Sequence, residues 1–302
     1  MLKDTFLYLA HNQQAQNFAV QNGAARSIAR RFVAGEALNE AVEATRLLNR
    51  RGIQAALDHL GENVNDEKEA RTAAKAYIAA IDLVKQTGID ANISVKLSAL
   101  GLDISQELCE ENLHTILERA NGYPIFVCID MEGSDYTEKT IDITQRVHQQ
   151  FEHVGTVIQS YLYRSKKDVE QLIASGVRVR LVKGAYKEPH PIAYQSKSDV
   201  DYNYMLLMKM LLARGNFPAI ASHDQAIIDA ARRFVRDYGI GKDTFEFQML
   251  YGIRRDLQEK LVKEGYKVRV YVPYGAQWYP YFMRRLAERP ANLIFVLSNA
   301  FR

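Results

Sequence analysis

Between Gly52 and Pro273 the chain alternates short β-branched or apolar runs with longer stretches whose apolar residues recur at three- and four-residue spacing. This is the pattern of βα units, in which each strand feeds a helix that packs back over a parallel sheet. Eight runs have the composition of strands: Ile53–Leu57, Asn92–Leu97, Ile125–Asp130, Thr156–Tyr161, Val177–Val182, Ala219–Ser222, Phe245–Leu250 and Val268–Val272. The stretches between them gather apolar residues on one helical face, as with Ala70, Ala73, Ala74, Tyr77, Ile78, Ile81 and Val84, or Val169, Leu172 and Ile173. Eight parallel strands can form an open doubly wound sheet or a closed (β/α)8 barrel. No nucleotide-binding glycine cluster follows the first strand, so the expected fold class is α/β, a TIM barrel.

Residues 1–50 are alanine-rich with helical spacing, broken at Gly23 and Gly35, and are expected to form an N-terminal helical arm. After the last strand, Trp278–Arg289 and Ala291–Ala300 have the spacing of two further helices separated by Pro290. No linker-like or low-complexity tract interrupts the chain, so residues 1–302 are expected to be one catalytic domain.

With 47% hydrophobic and 25% charged residues, the composition excludes a disordered or fibrous chain. Thirty-nine basic against 36 acidic residues leave a net charge of +3, too little to indicate a nucleic-acid partner. The two cysteines, Cys109 and Cys128, form neither a disulfide framework nor a zinc motif and fit a reducing compartment. The N-terminus does not have the pattern of a signal peptide, and no apolar stretch approaches the roughly 20 residues that span a bilayer. The expectation is a cytoplasmic protein that at most sits on a membrane surface.

In a (β/α)8 barrel the site is built where the strands end. Here those positions hold Lys96, Asp130, Glu132, Gln159, Tyr161, Arg180, Lys183, His223, Asp224, Gln248 and Tyr271. Any one of them could belong to a buried ion pair; so many at one rim point to a binding site. Arg180 and Lys183, followed by Gly184, could neutralise an anion such as a pyrophosphate while glycine lets the backbone approach it. Gly239-Ile240-Gly241-Lys242 lacks the rest of a phosphate loop and reads as a turn. His223 has no second histidine at metal-binding spacing, so metal chemistry is not indicated. Tyr281, Arg284, Arg285 and Glu288 share one helical face, which a helix following the last strand could hang over the barrel mouth. Two guanidinium groups there would suit a small carboxylate ligand.

Ser94-Val95-Lys96-Leu97-Ser98-Ala99-Leu100, Ile129-Asp130-Met131-Glu132, Arg180-Leu181-Val182-Lys183-Gly184-Ala185-Tyr186, Phe247-Gln248-Met249-Leu250-Tyr251-Gly252 and the Tyr-x-x-Arg-Arg-x-x-Glu helix together resemble the proline dehydrogenase family. The length is similar to that of its monofunctional bacterial members. The resemblance implies a distorted barrel that holds FAD and oxidises L-proline to Δ1-pyrroline-5-carboxylate by hydride transfer from C5 to flavin N5. It further implies that electrons pass to a membrane quinone and that a pyrroline-5-carboxylate dehydrogenase acts downstream; in the absence of a long apolar run, any contact with the inner face of the cell membrane is expected to be peripheral. By matching motifs, Lys96, Asp130 and Arg180 are similar to catalytic residues. Lys96, Ala185, Tyr186, Leu250, Tyr271, Tyr281, Arg284, Arg285 and Glu288 are similar to the substrate site, with Glu288 expected to pair with Lys96 or an arginine. Asp130, Gln159, Arg180, Val182, Lys183, Gly184, Ser198, Ser222, His223, Asp224 and Gln248 look like the flavin-contacting set.

Two other chemistries fit such a rim. A flavin barrel of methylenetetrahydrofolate reductase type would need nicotinamide and folate sites. A Schiff-base aldolase would use Lys96 or Lys183 as nucleophile.

Overall fold

All eight expected strands form, and they close into a parallel barrel in the order β1 to β8. In this computed structural model the described residues are 22–288 with Asn12, Ala15, Gln16 and Ala19. The strands are β1 (Gln54–His59), β2 (Ala91–Val95), β3 (Val127–Ile129), β4 (Val154–Gln159), β5 (Arg178–Val182), β6 (Ala219–Ala221), β7 (Glu246–Leu250) and β8 (Lys267–Tyr274). β8 closes on β1 with Gln54 opposite Arg269 and Asp58 opposite Pro273.

Among the described residues, helices α1 (Gly23–Ala29) and α2 (Leu38–Asn49) precede the barrel. The crossovers are α3 (Glu67–Thr87), α4 (Gln106–Asn121), α5 (Ser134–His148), α6 (Ser165–Ala174), α7 (Lys197–Arg214), α8 (Gln225–Asp237) and α9 (Arg255–Lys263), and α10 (Trp278–Glu288) follows β8. Local chemistry sets several boundaries. Asp66 and Ser196 cap α3 and α7 by accepting from the Glu69 and Asp199 amides, and Gly88 ends α3 in the left-handed region. The apolar faces of these helices, such as Ala74, Tyr77, Ile81 and Val84, are buried against the sheet in one continuous core.

The expected arm divides. Residues 38–49 pack on β1 and β8 and cover the seam where the barrel closes. That frees α10 from the wall, and its apolar face joins α1 and Leu60 in a second cluster with Phe32, Val33, Trp278, Phe282 and Leu286. Leu60 directly follows β1, so α10 sits at the end of the barrel where the strands finish. The helix expected over 291–300 lies outside the described residues.

Candidate active site

One network of buried charges fills the upper barrel. Lys96 Nζ lies 2.6 Å from Asp58 Oδ1 and 3.9 Å from Asp130 Oδ2. Asp130 Oδ1 accepts from Arg180 Nη1 at 2.6 Å, and its Oδ2 from the Tyr271 hydroxyl at 2.6 Å. Arg180 Nη2 donates to Ser94 Oγ at 2.9 Å, and its guanidinium stands 5.3 Å over the Tyr271 ring. The strands make this meeting possible: Asp58 is in register with Ser94, and alternate residues of a barrel strand face the lumen. Two cations thus balance two carboxylates where water is scarce.

Burial by itself would strip the proton from Lys96, but the carboxylates of Asp58 and Asp130 hold its ammonium well above the ordinary lysine value. Burial likewise opposes the Arg180 charge, and the groups around it, Asp130 among them, restore it. Burial, with Asp130 and Asp58 nearby, keeps the Tyr271 hydroxyl protonated. Glu132 is also buried, and burial pushes its carboxyl up although Ser98 donates from Oγ at 2.5 Å and from its amide at 3.1 Å.

Above the network, Arg284 Nη1 reaches Glu62 Oε1 at 2.6 Å. The same Arg284, with Lys96, Glu62 and Glu132, forms the electrostatic surroundings of Tyr186, whose hydroxyl burial pushes up. Ala185, Tyr186 and Leu250 are half-buried at the strand ends. Arg285 takes a different direction from Arg284: its guanidinium stands 5.1 Å over the ring of Tyr281, which is buried in the α10 cluster. Asp58 holds Lys96 and Glu62 holds Arg284; Glu288, expected to pair with Lys96 or an arginine, has its side chain outside the described residues.

Apart from Asp130 after β3 and Ser198 in α7, the residues similar to a flavin-contacting set line the ends of β4 to β7. Gln159, Ser222 and Gln248 are buried, and Val182 and Gly184 are half-buried. Gln159 Nε2 donates to the Glu132 carbonyl at 2.9 Å. His223 Nε2 accepts from the Leu250 amide at 2.9 Å, which leaves Nδ1 as its donor. Lys183 Nζ lies 2.5 Å from Asp201 and 3.0 Å from Asp224, and Ser198 is exposed in the first turn of α7. Gly184 has φ +118°, and a Cβ there would stand 2.5 Å from the Tyr161 ring. The planar, carbonyl-rich ring of a flavin fits this donor set. The Gln159 amide and the Lys183 ammonium stand at one rim, the glycine leaves backbone bare, and the buried Arg180 Nε has no hydrogen-bond partner, whereas Gln248 Nε2 turns to Glu246 Oε1 at 2.5 Å.

Sequence reasoning missed four charged residues. Asp58 is the next-to-last residue of β1 and would have been found had that strand been extended past Leu57. Glu62 lies in the loop after β1 and carries no periodic signal. Glu246 and Arg269 form the barrel floor, where Arg269 Nε lies 3.0 Å from Glu246 Oε1 and Arg269 Nη1 donates to the Ala55 carbonyl at 2.8 Å. Beside them Arg178 is stacked between Phe126 and Phe217, at 3.9 and 4.5 Å.

The sequence profile of the proline dehydrogenase family matches residues 41–297. Proline dehydrogenase 1 of Bacillus subtilis subsp. natto is 44% identical over 302 residues, covering all of both chains. Proline dehydrogenase of Deinococcus radiodurans is 43% identical over 307 residues, covering 100% of this chain and 98% of its own. Among solved structures, proline utilization A (PutA) from Bdellovibrio bacteriovorus inactivated by N-propargylglycine superposes with a TM-score of 0.82 at 27% identity. The match covers 87% of this chain and 33% of that one, so the chain spans about a third of that protein's length. With its barrel, its strand-end residues and full-length relatives in agreement, the chain belongs to the proline dehydrogenase family of oxidoreductases.

Proposed function

We propose that this chain oxidises L-proline to Δ1-pyrroline-5-carboxylate with FAD as cofactor, and that a membrane quinone receives the electrons. The observation that carries the proposal is the buried Asp58, Lys96, Asp130, Arg180, Tyr271 network with Arg284 reaching over it. When bound, FAD would supply the redox chemistry by taking the hydride from proline C5 at its N5.

The residues of the chain bind, orient and exclude water. Arg284 and Arg285 would hold the proline carboxylate, with the Lys96 ammonium adding positive charge beneath it. Ala185, Tyr186, Leu250, Tyr281 and Tyr271 would enclose the ring, and Glu288 would support the arginines. Asp130 and Arg180 link the substrate side to the cofactor side, since one carboxylate binds both Tyr271 and Arg180. Gln159, Val182, Lys183, Gly184, Ser198, Ser222, His223, Asp224 and Gln248 would hold FAD, with Lys183 the cation for its diphosphate. Residues 1–302 would act as one catalytic unit.

A pyrroline-5-carboxylate dehydrogenase would act on the product. No helix among the described residues is long and apolar enough to cross a membrane, so contact with a quinone-bearing membrane would be peripheral, on its inner face. The aldolase alternative is disfavoured at Lys96, because a nucleophilic amine must be neutral and two carboxylates keep this one charged.

The visible absorption spectrum of the purified protein tests the proposal. Flavin bands that bleach anaerobically with L-proline and return with a quinone are expected. A chain that carries no flavin and takes up none from added FAD would refute it.

A further inference from the structure

The loop after β5 carries Lys183, Gly184, Ala185 and Tyr186 over the barrel mouth, and two anchors bracket Tyr186. Upstream, the Lys183 carbonyl accepts from the Tyr161 amide at 2.9 Å and Gly184 lies flat against the Tyr161 ring. Downstream, Glu188 crosses to the start of α5. Its Oε1 accepts from the Ser134 amide at 2.8 Å and its Oε2 from the Ser134 hydroxyl at 2.6 Å. The Tyr161 hydroxyl lies 3.4 Å from Glu188 Oε1 and also meets the Tyr186 backbone. The Glu188 carbonyl accepts from Gln195 Nε2 at 3.2 Å, which ties the far end of the loop to the same point.

This bond answers a need of α5. Its N-cap is Gly133, which has no side chain to accept an orphan amide. Glu188 provides the missing acceptor from another loop, and its negative charge sits at the positive end of the helix dipole. The segment just before α5 is Asp130 to Glu132, so the contact joins the loop bearing Tyr186 to the strand end bearing Asp130.

We propose that Glu188 is a positioning residue that fixes Tyr186 over the substrate pocket; this rests on the proline oxidation reading above. Because it acts through Tyr186, its loss should weaken proline binding only where Tyr186 is present to be misplaced.

The test is a double-mutant cycle on flavin-loaded protein, with KM and kcat for L-proline measured against a soluble quinone. Glu188→Ala should raise KM about 10-fold, the size of one charge-assisted hydrogen bond, with kcat and flavin content close to wild type. Glu188→Gln keeps one accepting oxygen and should recover part of the loss. Ser134→Ala, which removes only the Oγ bond from the other side, should move KM in the same direction. In a Tyr186→Ala background, Glu188→Ala should add nothing. An unchanged KM in Glu188→Ala and Ser134→Ala, or effects that multiply with Tyr186→Ala, would overturn the assignment. Failure of the wild-type protein to oxidise proline would instead refute the function on which it rests, and the assignment with it.

Discussion

Asp58 Oδ1 lies 2.6 Å from Lys96 Nζ across neighbouring strands, with Asp58 only 1% and Lys96 8% exposed. Neither charge could be kept there alone, because an unpaired ion in the barrel would lose its hydration with nothing in return. No family motif marks Asp58, yet its contact with Lys96 lets that ammonium stay charged next to Asp130. The positive charge available to a bound carboxylate therefore depends on a residue one strand away.

Asp58→Asn should lower the unfolding free energy by about 3–5 kcal/mol, the range for breaking one partner out of a buried pair. It should also weaken proline binding, because Lys96 then relies on the more distant Asp130. Urea denaturation of the folded variant checks the first part. A loss below about 1 kcal/mol, as for exposed pairs, would mean that water reaches this pair.

Glu246→Gln offers a contrast at the barrel floor. It leaves Arg269, with Arg178 nearby, without the carboxylate, and the same range of about 3–5 kcal/mol applies. The floor is the N-terminal end of the strands, which in this fold serves stability rather than chemistry. Proline KM of the folded protein should stay at the wild-type value. A KM defect comparable to that of an upper-barrel variant would show that the two layers are coupled.

Glu132 gives a pH signature. Burial raises its carboxyl above 4.5 in the folded state, so the folded protein holds this proton more tightly than the unfolded chain. Its contribution to stability is fully present below about 4.5 and is lost as pH rises through the folded value. Glu132→Gln removes that titration, so the melting temperature of the variant relative to wild type should rise on going from pH 4.5 to 8. Parallel curves for the two proteins would show that Ser98 already offsets the burial.

The strands were legible because parallel barrel strands, buried on both faces, read as continuous apolar runs. Their ends were less so. β8 runs from Lys267 to Tyr274, beyond the apolar run Val268–Val272, since Tyr274 still pairs with His59. The strand-end rule picked out Lys96, Asp130, Arg180 and Tyr271, which the fold brings into contact. It could not supply their partners. Glu62 meets Arg284 from a loop at the other end of the chain, a distance that no local periodicity spans. The role of α2 as the helix over the closing seam also depends on topology, because its amphipathic spacing does not say which strands it will cover.

Arg284 and Arg285 set the last prediction. Arg284 Nη1 is 2.6 Å from Glu62 while Arg285 stacks on Tyr281, so the two guanidinium groups are held by different partners. A charge-assisted hydrogen bond contributes roughly 1.5–3 kcal/mol, so Arg284→Met or Arg285→Met should raise KM for proline by about 10- to 150-fold. Lysine keeps the charge but loses the fork, so Arg284→Lys or Arg285→Lys should recover only part of it. If both arginines bind ground state and transition state alike, kcat should change little. Glu62→Gln should act in the opposite direction at Arg284, because it removes the carboxylate that competes with substrate for that guanidinium, and KM should fall. Steady-state kinetics, with flavin content checked first, decide the matter. Wild-type KM in both methionine variants would place these side chains outside the substrate site, and a raised KM in Glu62→Gln would mean that Glu62 holds Arg284 ready for the ligand rather than competing for it.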